Sequence, residues 1–190
     1  MISYKKLLHF KLCSLPSAFP TECCANSSRS PIKLKAELYA LQFEYDSAGI
    51  LYQQLWELDT THVENTYNYA DFLSERKQYD KALSFYNKLL NMDIKKWRRG
   101  NAYSFMGNIY KETGKFPEAL VAYQKDNELY EQLYKVDKGN SFYKKNLAVS
   151  YEKLGEIYQA QGNFGKALEY FSLYNNLTQL ENQKPQSIDY

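Results

Sequence analysis

The chain is 190 residues long, a size that suits one domain or a short repeat array better than two independent cores. Its 44% hydrophobic and 24% charged residues, with 19 tyrosines and 10 phenylalanines against 8 glycines and 5 prolines, exclude collagen, a long disordered chain and a disulfide scaffold. No stretch approaches the ~20 apolar residues of a membrane-spanning helix, and the formal net charge is only +2.

That charge is unevenly placed. Residues 1–30 carry Lys5, Lys6, Lys11 and Arg29 against Glu22, whereas the remaining residues hold 20 basic and 21 acidic side chains. The larger part therefore lacks the positive excess of a phosphate-backbone binder. In the leader, Lys5 and Lys6 precede Leu7, Leu8, Phe10 and Leu12 in the order of a signal peptide, but His9 and Lys11 interrupt the apolar run. The lack of acids before Glu22 is also a transit-peptide trait, without the arginine richness or amphipathic face of one. Pro16, Pro20, Ser27, Ser28, Ser30 and Pro31 form a breaker-rich linker, so residues 1–30 are read as a poorly ordered basic leader. Cys13, Cys23 and Cys24 all lie within it, and no disulfide can brace the rest of the chain. Nothing in the composition demands export, so the cytoplasm is the expected location.

Downstream, one pattern recurs four times. It reads Ala36, Tyr39, Tyr45, Ala48, Tyr52 in the first and weakest copy, and Tyr69, Ala70, Leu73, Tyr79, Ala82, Tyr86 in the second. The third is Tyr103, Met106, Gly107, Tyr110, Gly114, Phe116, Ala119, Tyr123. The fourth, with identical internal spacing, is Tyr151, Leu154, Gly155, Tyr158, Gly162, Phe164, Ala167, Phe171. An aromatic stripe at helical spacing is by itself only core. Recurrence of both offsets and residue types is more than that, and it resembles the tetratricopeptide repeat. The resemblance covers roughly residues 31–182, with units near 31–62, 63–99, 100–140 and 141–182 and a tail at 183–190. It implies an all-α, right-handed superhelical solenoid of antiparallel helix hairpins. Small residues (Gly107, Gly155, Ala119, Ala167) should sit where helices approach, beside the aromatics. Gly114 and Gly162 should close the first helix of a hairpin in a left-handed conformation, with Phe116 and Phe164 packing over the turn. Lys77 and Phe43 stand where the earlier copies lack that glycine.

The step between copies grows along the chain: 34 residues from Ala36 to Ala70, 37 from Ala70 to Gly107 and 48 from Gly107 to Gly155. Asp137-Lys138-Gly139-Asn140 is a turn signal near the middle of the longest step, leaving about one heptad for each flanking helix. Helices over 117–136 and 141–161 are predicted, with Leu129, Leu133 and Val136 meeting Phe142, Tyr143 and Leu147. The alternative is an unstructured loop. The three residues added in the 37-residue step fall around Lys95, Lys96, Trp97, Arg98 and Arg99. Such a cluster could stack a base and meet phosphates in an RNA-binding repeat. It reads more simply as a segment in which Trp97 packs under a turn and the cations lie near a helix C-terminus.

No catalytic residue, cofactor site or metal site is identified. The two histidines are His9 in the leader and His62 in an interrepeat turn, and no glycine-rich phosphate loop, paired-cysteine motif or His-x-x-x-His helix occurs. Function is expected on the surface that stacked hairpins create. The resemblance implies a noncatalytic scaffold that binds a peptide or protein in a concave groove lined by the first helix of each pair. Carried over position by position, the groove residues are Lys33, Glu37, Tyr67, Asp71, Ser104, Asn108, Glu152 and Glu156. Members that grip chaperone carboxylates use a Lys, Asn and Arg clamp that is not assembled here, and the acidic residues favour a neutral or basic partner. The alternative is that these residues are simply solvated helix faces. After Phe171, Leu173, Tyr174, Leu177 and Leu180 continue an apolar stripe that no later helix covers before Pro185, a surface suited to a partner or to self-association as an oligomerisation module.

Overall fold

The computed structural model describes residues 31–179; the leader, Leu180 and the C-terminal tail lie outside them. The described residues form eight helices, with no strand among them: α1 (Pro31–Leu41), α2 (Tyr45–Leu58), α3 (Val63–Glu75), α4 (Tyr79–Leu90), α5 (Lys96–Glu112), α6 (Phe116–Val136), α7 (Ser141–Ala160) and α8 (Phe164–Gln179). None of these helices is long and apolar enough to cross a membrane. The chain divides into two compact units between Leu51 and Tyr52. In the first, Ala36 and Ala48 are fully buried while Leu34, Leu41, Phe43 and Ile50 are exposed. In the second, the hairpins α3/α4, α5/α6 and α7/α8 follow one another, each second helix packing on the first helix of the next pair. This is the all-α solenoid of antiparallel hairpins that the repeats imply.

Core chemistry follows the recurring small and large positions. Ala70, Ala82, Leu73, Tyr86 and Leu89 join Ala102, Met106 and Ile109 in one cluster, and Ala119, Tyr123, Leu154 and Ile157 form the next. The glycines are spaces for rings. A Cβ on Gly107 would lie 2.4 Å from the Tyr123 ring, and one on Gly155 would lie 2.6 Å from the Phe171 ring.

The four turns within hairpins share one geometry. Phe43, Lys77, Gly114 and Gly162 have φ of 60°, 58°, 73° and 74°. The N–H of the following residue reaches back five positions in every case: Glu44 to Tyr39, Gln78 to Leu73, Lys115 to Tyr110 and Asn163 to Tyr158, at 2.8–2.9 Å. These bonds satisfy carbonyls that a helix end leaves open. Lys77 and Phe43 thus adopt the left-handed turn at a steric cost that glycine avoids, and hydrogen bonding and packing over-determine it. Lys77→Gly is expected to stabilise the protein by about 0.5–1 kcal/mol in urea unfolding, since strain at positive φ exceeds the entropy glycine adds to the unfolded chain.

The longest step is helical, as the turn signal indicated. Asn140 caps α7, its side chain accepting from the N–H groups of Phe142 and Tyr143 at 3.1 and 3.2 Å, and Asp137 accepts from Gly139 N–H at 3.1 Å. The contents of the long hairpin differ from the expected apolar zipper. Val136 is 88% exposed. At ~100° per residue it lies about 240° round the helix from Tyr130, off the buried stripe. That stripe instead runs through Ala119, Tyr123, Asp126, Asn127 and Tyr130, facing Leu147 and Ser150, and Asn127 Nδ2 donates to Ser150 Oγ at 2.9 Å. Phe164 also departs from expectation. It is 69% exposed, because no further helix among the described residues packs against it, whereas the matching Tyr79 hydroxyl donates to Glu112 on the next hairpin.

Candidate partner-binding face

The first helices of the second unit touch directly, which makes one continuous face of α3, α5 and α7. Arg98 on α5 pairs with Glu64 on α3 at 3.0 Å, and the Tyr67 and Phe105 rings meet edge-on at 5.9 Å. Between α5 and α7, Lys111 pairs with Glu156 at 2.5 Å and Lys153 Nζ donates to Ser104 Oγ at 2.7 Å. Tyr67, Ser104 and Glu156 are therefore brought onto this face, and Asp71 and Asn108 lie one helical turn after Tyr67 and Ser104.

Behind it, the tyrosines of the second helices reach through to the first. Tyr86 donates to Asp71 at 2.6 Å and Tyr123 to Asn108 at 2.8 Å, each across fifteen residues. The long hairpin repeats the arrangement one heptad away: Tyr130 donates to Asn101, and a Cβ on Gly100 would meet the Tyr130 ring at 2.9 Å. Sequence reasoning missed Gly100, Asn101 and Tyr130. The signal was the Gly107-Asn108 pair preceded seven residues earlier by Gly100-Asn101, with Tyr123 and Tyr130 also seven apart.

Below this layer lies Asp126, only 2% exposed. It accepts a hydrogen bond from Ser104, the residue that holds the Lys153 ammonium, so α6, α5 and α7 are linked through one chain of polar groups. Burial raises the Asp126 carboxyl to about 7, against a smaller lowering by Lys153 and Ser104. Burial also lowers the Lys153 ammonium. A direct ion pair would move both groups the other way, so dehydration outweighs attraction across the interposed serine. Burial likewise raises Asp71, reinforced by Glu75 and Glu64, and raises the Tyr67 hydroxyl. Tyr67 Oη and Asp126 Oδ1 are buried without a hydrogen-bond partner among the described residues.

The remaining sequence candidates sit elsewhere. Lys33 and Glu37 pair with each other at 4.0 Å in the first unit. Glu152 lines a cleft of about 420 Å³ between α7 and α8, together with Lys145, Val149, Tyr174 and Leu177. In the same helix Leu173 is 38% exposed. Trp97 is half-buried, its ring edge-on to Phe142 at 5.6 Å and covered by Arg98 at 4.7 Å. Arg99 donates to the carbonyls of Leu90 and Met92 at 2.8 and 3.4 Å, at and just beyond the C-terminus of α4, and Lys96 donates to Gln132 at 3.3 Å. Only Lys95 of this basic group is exposed at the helix start without such a bond. His62 is the N-cap of α3, its Nδ1 accepting from Asn65 N–H at 3.2 Å. Among the described residues, no group of three or more His, Cys, Asp or Glu is placed to hold a metal ion.

Comparison with known proteins agrees with this architecture. The tetratricopeptide-repeat family model matches residues 64–93 and 148–179, the second and fourth copies of the pattern. BtubC from P. vanneervenii is similar in structure at a TM-score of 0.69 and 15% identity, over 88% of this chain and 72% of that one. MamA from Desulfovibrio magneticus RS-1 is similar at 0.60 and 18%, over 82% and 77%. A search of the curated proteins finds no match. At these identities the structural likeness speaks for the fold, and with the two family matches and the four equivalent turns it leads to one conclusion: the chain carries tetratricopeptide repeats.

Proposed function

We propose that the chain is a noncatalytic protein-interaction scaffold and that it binds a neutral or basic peptide segment on the face of α3, α5 and α7. The observation that carries this reading is the direct contact between successive first helices at Tyr67–Phe105, Ser104–Lys153 and Lys111–Glu156, which supports a shared surface that Asp71 and Asn108 extend one turn beyond Tyr67 and Ser104. Tetratricopeptide repeats are a protein-binding architecture, because stacking exposes an extended surface rather than an enclosed pocket. The basic segment around Trp97 supports this face over the RNA-binding reading, since Arg98, Arg99 and Lys96 are engaged within the chain. The test is a pull-down with the full chain, repeated with Asp71→Lys and Glu156→Lys together. Loss of the captured proteins with retained helical content by circular dichroism is expected, and an unchanged set overturns the assignment of the face.

A further inference from the structure

The repeats permit a comparison of the chain with itself. Immediately after the small residue of each first helix, the same position is occupied by Glu37, Asp71, Asn108 and Glu156. Glu37 has Lys33 beside it at 4.0 Å, Glu156 has Lys111 at 2.5 Å, and Asn108 is neutral. Asp71 is the exception. It forms no ion pair among the described residues, and its hydrogen bond is to the neutral Tyr86 hydroxyl. It is also half-buried, with Glu64 and Glu75 adding to its unfavourable field. One turn earlier, Tyr67 has a buried hydroxyl with no hydrogen-bond partner among the described residues and a ring braced by Tyr86 and Phe105 at 6.1 and 5.9 Å.

A partly dehydrated carboxylate without a counter-charge is an unfavourable arrangement that a cation relieves. Aromatic rings beside it favour a cation over any other group, through the ring face and by excluding water. Resting on the proposed peptide-binding role of this face, we propose that Asp71 anchors one basic side chain of the bound segment, a guanidinium or ammonium set against the carboxylate and the neighbouring tyrosine. The neutral and internally paired positions, Asn108 and Glu156, make no such demand of the partner, so the basic requirement falls at one place in the peptide rather than along its length.

The probe is a random twelve-residue peptide library displayed on phage and selected against the immobilised full chain and its Asp71→Asn, Asp71→Glu and Asn108→Lys variants. Asparagine preserves the acceptor for Tyr86, so the Asn variant retains its fold. Arginine or lysine enriched at one peptide position with the native chain, about tenfold weaker binding of the selected peptide to Asp71→Asn, and recovery with Asp71→Glu are the expected results. Selected peptides that lack a basic residue, or that bind Asp71→Asn as well as the native chain, overturn the anchor while leaving the face intact provided Asn108→Lys abolishes their binding. Peptides indifferent to all three substitutions overturn both the anchor and the peptide-binding role on which it rests.

Discussion

Gly107→Ala is expected to lower stability by about 2 kcal/mol, although helix propensity alone predicts a gain of ~1 kcal/mol from this substitution in a helix interior. The sign is decided by Tyr123. An alanine Cβ at position 107 would stand 2.4 and 2.6 Å from two atoms of its ring. The ring cannot swing aside cheaply, because it is 1% exposed, its hydroxyl is bound to Asn108 at 2.8 Å and the Lys153 ammonium lies over it at 5.5 Å. Either the ring leaves its rotamer or α5 and α6 separate, and each disturbs the packing of the next hairpin. Gly165 supplies the contrast: a Cβ there meets nothing within 4 Å, so Gly165→Ala is expected to stabilise by up to about 1 kcal/mol. Urea unfolding monitored by circular dichroism checks both. Tyr123→Leu in the Gly107→Ala background should cost less than the sum of the two single changes, and strict additivity would show that glycine and ring are not in contact.

The same pair shows why much of the fold could be read from the residues. Glycine, alanine and aromatic positions recur because each hairpin solves the same packing problem, and a repeated solution leaves a repeated pattern. Turns were legible for the same reason: Gly114 and Gly162 announce a left-handed residue, and Lys77 and Phe43 take the same conformation at equivalent positions despite carrying side chains. What did not show was the interior of the long hairpin. Of Leu129, Leu133 and Val136, expected to meet Phe142, Tyr143 and Leu147, the first two are half-buried and Val136 is exposed, while the fully buried stripe passes through Asp126, Asn127 and Tyr130. Polar residues betray burial only through their partners, and here those are distant in the sequence: Ser150 lies 23 residues from Asn127, Ser104 lies 22 from Asp126, and Lys153 lies 49 from Ser104. The candidate face was legible in its helices and less so in its pairings. Asp71 and Glu156 occupy equivalent positions, yet only Glu156 meets a lysine, and that lysine comes from the preceding hairpin.

The buried carboxylate yields the second large effect. With Asp126 raised from 3.8 to about 7 in the folded chain, the folded state holds a proton that the unfolded state releases. Its contribution to stability is therefore fully present below pH ~4 and is lost progressively as pH rises to about 7, a swing on the order of 4 kcal/mol at 1.36 kcal/mol per unit. Asp126→Asn removes the titration. The amide can still accept from Ser104, but its nitrogen needs an acceptor beside Gly100, and Lys153 loses its nearest buried counter-charge. Those two costs offset part of the gain, so the variant is expected to be more stable than the native chain by about 1–2 kcal/mol at pH 8. The advantage should shrink on acidification and vanish or reverse by about pH 5, where the native carboxyl is protonated and can donate as well as accept. Comparing the two chains across this range cancels titrations they share, so the difference reports on Asp126. Unfolding free energies whose difference does not change between pH 5 and 8 would mean that Lys153 and Ser104 compensate the buried charge in full, and that the polar chain from α6 to α7 behaves as a strong ion pair.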